Sequence, residues 1–203
     1  NTLTLAHTNG PARIEVGGTG PGYVEFEVTA GSIVVSDLQL HVTNIMGHPD
    51  YGALRLRANW SGPGGLIKSG VGTVSLTGDA KTYTGPTIIE EGVLQLTEPA
   101  TPTASSQIIV QPGGQLRLTS GSEPGVVRVY NFGGDLTLNG HGRGASIPDD
   151  SGMGKRGALR YAPGNGSNHA MVQNNITLSG ASEIHVNGAG STLTLTGPLS
   201  GSH

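Results

Sequence analysis

The chain contains no cysteine, which excludes disulfides, thiolate metal centres and a cysteine nucleophile. Charge of one sign is also lacking. Eleven Lys and Arg stand against 14 Asp and Glu, a net charge of −3, so no basic face for nucleic acid is expected. No apolar run approaches the roughly 18 residues of a membrane helix, and no basic segment followed by an apolar one opens the chain at Asn1. This segment is therefore not expected to insert into a membrane, and any signal peptide or anchor is expected outside it. Aromatics are 4% and charged residues 12% of the composition, which leaves a thin aliphatic core unlike that of a typical enzyme. Helix-compatible text is scarce as well. The longest stretch free of Gly and Pro is residues 32–46, and its Leu38-Gln39-Leu40-His41-Val42 alternates with the period of a strand.

What is present in excess is glycine, 35 of 203 residues against a usual share of about 7%, and a repeat. Apolar-x-apolar triplets recur at Leu54-Arg55-Leu56, Val74-Ser75-Leu76, Leu94-Gln95-Leu96, Leu116-Arg117-Leu118, Leu136-Thr137-Leu138 and Leu159-Arg160-Tyr161, at intervals of 20, 20, 22, 20 and 23 residues. Others are Ile14-Glu15-Val16, Ile33-Val34-Val35, Ile176-Thr177-Leu178 and Leu193-Thr194-Leu195. A triplet in a strand buries two side chains and exposes one, too little to make a core alone. If the chain coils and returns after about 20 residues, successive triplets stack in parallel, roughly 4.8 Å apart, and bury a continuous column. The expectation is an all-β parallel solenoid of about ten coils. Leu94, Leu116 and Leu136 are expected on one internal ladder. Arg55, Ser75, Gln95, Arg117, Thr137, Arg160, Thr177 and Thr194 are expected on one outward column, where neutral rungs separate the charges. A leucine-rich horseshoe would need helical segments and a regular Asn that are not visible. The pairs Asn9-Gly10, Asn139-Gly140, Asn165-Gly166 and Asn187-Gly188 keep an antiparallel fold with hairpins as the alternative.

Residues 62–96 carry Gly64-Gly65-Leu66-Ile67-Lys68, Gly70, Gly72-Thr73-Val74-Ser75-Leu76-Thr77-Gly78, Tyr83-Thr84-Gly85 and Gly92-Val93-Leu94-Gln95-Leu96. This block resembles the autotransporter-associated β-strand repeat of bacterial passenger domains, with Pro86 where the family often has a second Gly. The flanks resemble the spacer coils of such arrays. The resemblance implies a right-handed β-helix displayed outside the cell, secreted or held at the surface through a domain beyond this fragment. It transfers no catalytic residue. One β-helix segment is expected over residues 1–203, with 62–96 as a repeat unit and 139–157 as a loop insertion.

The chemistry-bearing residues concentrate in that loop: His141, Arg143, Asp149, Asp150, Lys155 and Arg156. Asp149 and Asp150 could contribute to a hard-cation site, with Arg143 beside them to neutralise a uronic acid, as in a polysaccharide lyase. The competing reading is a solvated insertion. Gly52-Ala53-Leu54-Arg55 recurs as Gly157-Ala158-Leu159-Arg160 while the polar text before each differs, and a loop that varies while its strand repeats behaves as a tolerated bulge. Sugar binding would use aromatic platforms. Trp60 and Tyr51 are the first candidates, followed by Tyr83, Tyr130 and Tyr161, although Trp60 also suits a corner plug and Tyr161 a core filler. His41 and His185 lie in strand text and read as structural. Motifs for phosphate loops, metalloproteases, serine hydrolases and Ca²⁺-binding repeats are absent, so no cofactor or metal is expected. The sequence thus reads as a non-catalytic extracellular scaffold. A carbohydrate-binding or adhesive module with an extracellular polysaccharide as partner is the alternative, and a lyase-like enzyme the third reading. The similar uncharged texts "NTLTL" and "STLTLTG", without a polar cap, predict weak head-to-tail self-association.

Overall fold

The computed structural model describes residues 2–5, 9–17, 24–35, 37–43, 54–97, 100–120, 125–142, 157–164 and 168–201. Among these residues there are twenty strands and no helix. Every strand pairing is parallel, which removes the antiparallel alternative for the described residues.

One long sheet runs from β1 (Thr2–Leu5) through β3 (Val24–Val35), β5 (Leu54–Gly62), β7 (Thr73–Thr77), β10 (Gly92–Thr97), β12 (Gly114–Thr119) and β15 (Leu159–Tyr161) to β18 (Ile184–Val186), with β8 (Thr82–Tyr83) attached to β5. A second has eight rungs: β2 (Ala12–Val16), β4 (Leu38–Val42), β6 (Leu66–Ser69), β9 (Thr87–Ile89), β11 (Gln107–Val110), β14 (Asp135–Gly140), β17 (Ile176–Ser182) and β20 (Leu199–Gly201). A third contains β13 (Val127–Tyr130), β16 (His169–Val172) and β19 (Thr192–Leu195). The chain visits the first and second sheets in turn, and each strand pairs with one laid down a circuit earlier.

The register shows that the third side extends beyond its three named strands. β3 and β5 each serve two sides. Val24–Glu27 of β3 pairs with Leu54–Arg57 of β5, whereas Ser32–Val34 pairs with Asn59–Ser61 after a register shift. β1 pairs with the later half of β3, and β8 with Ser61 and Gly62 of β5. Lys81 then bridges to Pro102, whose carbonyl accepts the Gly133 N–H at 3.2 Å, just after β13. A typical circuit therefore runs first side, third side, second side.

Strand alternation places the core. On the first side Leu54, Val74, Leu94, Leu116 and Leu159 form one inward column, with Leu56, Leu76, Leu96, Leu118 and Tyr161 beside it. All ten are buried, and each contributes on the order of 1.5–3 kcal/mol by leaving water. On the second side the column is Leu38, Leu66, Thr87, Ile108, Leu136 and Ile176. Leu94 and Leu116 are ladder neighbours as expected, but Leu136 is not the next member. It pairs with Ile108 and Ile176 on the second side, and Leu159 follows Leu116. The interval of 20 residues from Leu116 to Leu136 is a step within one circuit, not a full turn. Triplets on different sides look alike because they bury one face against the same core.

The expected outward column divides in the same way. Thr137 and Thr177 belong to the second side and Thr194 to the third. Arg55, Ser75, Gln95, Arg117 and Arg160 do share one outward column of the first side. Ser75, Gln95, Arg117 and Arg160 are nevertheless buried, so an outward position on this side is not a solvent-facing one.

Corners between second and first sides are tight where the circuits are short. Gly92 sits there at φ 73°. A Cβ at that position would fall on the carbonyl oxygens of Gly70 and Gly72 and lie 2.8 Å from the Val71 carbonyl carbon, so both conformation and space require glycine. The long circuit at the same corner has a closed neck: the Gly157 N–H donates to the His141 carbonyl at 3.0 Å. The expected insertion 139–157 is thus narrower than its sequence limits, since Asn139 and Gly140 still belong to β14.

Candidate functional site

The most unusual chemistry in the described residues lies inside the coil, between β6 and β10. Lys68 occupies an inward position, between Leu40 and Ile89 on the second side, and is fully buried. Its Nζ donates to the carbonyls of Ser69 at 2.9 Å, Gly70 at 2.6 Å and Glu91 at 2.9 Å. The aliphatic stem packs as a core side chain, and the ammonium ties two successive circuits together at the second-to-first corner. A buried ammonium has three protons to place, and three carbonyls receive them.

Lys81 repeats the device at the next corner. It is buried, and its Nζ donates to Ala58 O at 2.7 Å, Thr77 O at 2.9 Å and Asp79 O at 2.7 Å. Burial pulls its pKa down to about 8, while the neighbouring Asp79 opposes the shift. At neutral pH the group is charged and fully bonded.

At the third corner of the same circuit the polar groups are hydroxyls. Tyr83 is buried and its hydroxyl lies 2.7 Å from Thr87 Oγ1, which lies 3.1 Å from Ser105 Oγ. Ser105 completes the chain by donating to the Gly85 or Gln107 carbonyl, at 2.9 and 3.0 Å. Burial raises the Tyr83 phenol well above its ordinary value, the Thr87 bond only partly offsetting it. Each corner of this circuit is therefore locked by a buried polar side chain bonded to a neighbouring circuit.

The candidate residues from sequence are distributed as follows. Trp60 is fully buried on the third side, in the later half of β5. It offers no face to a sugar and corrects the expectation of a platform. Its indole Nε1 is buried without a hydrogen-bond partner, so the side chain acts through volume, as a corner plug would. Tyr83, Tyr130 and Tyr161 are buried too. The Tyr130 hydroxyl donates to the Thr119 carbonyl, and that of Tyr161 bonds Ser120 Oγ at 3.2 Å. Tyr51, Arg143, Asp149 and Asp150 lie outside the described residues. His41 Nδ1 contacts Ser69 Oγ at 3.0 Å, a side-chain bond between successive second-side strands. His141 and His185 each approach a Glu183 carboxylate oxygen at 3.9 Å. Among the described residues no group of three His, Cys, Asp or Glu could hold a metal ion.

Sequence reasoning missed the roles of Lys68 and Lys81. A signal existed for Lys68: in Leu66-Ile67-Lys68 the alternation assigns position 68 to the inner face. Nothing comparable marks Lys81, whose burial depends on the turn that follows Gly78.

Residues 66–96, the segment spanning these corners, match the passenger-associated-transport-repeat family. The chain thus contains an autotransporter passenger repeat, and the match falls within the block singled out from the sequence. Comparison with curated proteins and with solved structures returned no match.

Proposed function

We propose that this chain is a right-handed parallel β-helix of eight circuits that serves as a non-catalytic, rigid segment of a secreted or surface-displayed bacterial autotransporter passenger. The observation that carries the reading is the use made of the polar groups in residues 66–96. Lys68, Lys81, Tyr83 and Thr87 all spend their hydrogen bonds inside the coil, on backbone and hydroxyl partners. Such bonds stiffen a coil and leave those groups unavailable for chemistry. The right hand follows from the strong bias of parallel crossover connections, about 98% of which are right-handed. The eight rungs of the second sheet would span about 34 Å along the axis at the usual strand spacing. Extracellular placement is supported by the passenger-repeat match.

The test is a glycan array probed with the folded fragment, its β content first confirmed by circular dichroism. A scaffold segment gives no reproducible hit. Saturable binding to a defined polysaccharide would replace this reading with the adhesive one, and shortening of that polysaccharide would replace it with the lyase.

A further inference from the structure

The outward column of the second side changes character in the middle of the coil. From β4 to β17 it reads Gln39, Ile67, Ile88, Ile109, Thr137 and Thr177. The three isoleucines stand on successive rungs about 4.8 Å apart. Each is half-buried, and together they form one aliphatic ridge. Strands favour β-branched side chains, but Thr137 and Thr177 meet that preference on the same column without being apolar. A contiguous apolar row with a polar rim marks a contact surface, whereas a single outward apolar residue would need no explanation.

The rim identifies what fits. Strand alternation puts Asp37, Pro86, Gln107 and Asp135 on one flank of the ridge, and His41, Glu90, Gln111 and Asn139 on the other. Sheets stack face to face at about 10 Å. Two copies of this face related by a two-fold axis along the rod would set each isoleucine against its own counterpart. Asp37 then meets His41 of the second copy, Asp135 meets Asn139, Gln107 meets Gln111 and Glu90 meets Pro86, so no two acids are opposed. Arg13 would meet its counterpart one rung further out, but Glu15 neutralises it within its own chain at 3.1 Å. A two-fold axis across the rod through Ile88 would instead oppose Glu90 to Glu90 and Asp37 to Asp135, and like charges set face to face disfavour that arrangement.

We propose that the second side is a docking face for a second copy of this chain, two coils packing side by side and in the same direction with Ile67, Ile88 and Ile109 at the centre. The face from Gln39 to Thr137 measures about 20 by 14 Å, well below the roughly 800 Å² a side of a stable interface, so the pairing is weak and reversible. The contact rests on the register of the second side and goes beyond the scaffold reading, which its failure would leave standing.

Sedimentation of the 203-residue chain up to about 1 mM tests it. The expected result is a weight-average mass that rises toward the dimer and returns to the monomer on dilution. I67T/I88T/I109T extends the threonines already present on this column, so it should keep the β spectrum and the urea midpoint while weakening association about tenfold or more. Single-cysteine variants give the direction, since the chain has no cysteine of its own. Under mild oxidation I67C should form a disulfide with I67C, and I109C with I109C, each faster than I67C with I109C in a mixture. Faster closure of the mixed pair would mean oppositely directed coils and overturn the proposal. A folded wild type that stays monomeric throughout overturns it too. So does association that I67T/I88T/I109T leaves unchanged but V127T/V129T abolishes, which would move the contact to the exposed valines of β13.

Discussion

Lys68 and Lys81 are the clearest case of single residues deciding how this coil is held. Each replaces an apolar core side chain with a stem of similar volume and an ammonium that closes three carbonyls. Replacing either with Met keeps the stem but strips those carbonyls of a buried donor, which should cost about 2–4 kcal/mol in urea unfolding at pH 7. Lys81 adds a pH signature. Its folded pKa of about 8 lies below the unfolded value of 10.5, so between these the unfolded chain holds the extra proton and stability rises with pH. Wild type should gain about 1–2 kcal/mol relative to K81M between pH 7 and 9.5. Above pH 10 the raised phenols of Tyr83 and Tyr161 act the other way, since the unfolded tyrosines ionise first. A wild-type advantage that shrinks from pH 7 to 9.5 would contradict the burial assigned to Lys81. Arg117 also departs from its sequence reading. Its Nη1 donates to Gln95 Oε1 at 3.1 Å within the buried outward column. Arg117→Ser should therefore cost about 1–3 kcal/mol, and Leu116→Asp more than that, because a charge would stand between Leu94 and Leu159. Equal losses would contradict the inside and outside assignment.

At the scale of the element, the triplets are legible because burial of one face forces alternation at every rung. Ten of them are recognisable without a structure, and all ten fall in strands of the fold. Their partners are not legible. A triplet records which face is buried but not which of three sides it occupies, and connections of unequal length break the period. Leu136 and Ile176 are neighbours forty residues apart, while Leu66 and Thr87 are neighbours twenty-one apart. Corners are partly legible. Gly92 can be read from the text, but the third-side corner at Asn174 cannot. There a side-chain amide receives the Phe132 N–H at 3.1 Å and donates to the Phe132 and Gly134 carbonyls at 2.8 and 2.9 Å, standing in for a strand rung. Two predictions belong here. Gly92→Ala should lower stability by about 2–4 kcal/mol through the positive φ and the carbonyls around it, read as a fall in the urea midpoint. Removing residues 143–154 should change it by less than about 1 kcal/mol, because the His141–Gly157 bond closes the neck and closure entropy depends weakly on length. A loss above about 3 kcal/mol would mean that the insertion is part of the packing.

For the whole molecule, low aromatic content, abundant glycine and few charges acquire one explanation. A coil with three short sides has room for a narrow aliphatic column and little else, needs a turn every few residues, and fills wide points with single large rings such as Trp60, Tyr83 and Tyr161. The candidate site was less legible than the fold for the same reason. An aromatic in a glycine-rich strand can serve as a platform or a plug, and only the circuit's geometry places Trp60 inside. The most direct test of that geometry uses the absence of cysteine, which makes an engineered pair the only possible disulfide. Neighbours on parallel strands lie about 4.8 Å apart, within disulfide range. T137C/T177C joins residues paired across β14 and β17. R117C/T137C joins residues twenty apart that an even period would stack but that the three-sided circuit places on different sheets. Under mild oxidation T137C/T177C should close rapidly in the folded protein and R117C/T137C should keep both thiols free. Closure of R117C/T137C, with T137C/T177C left reduced, would contradict the three-sided coil.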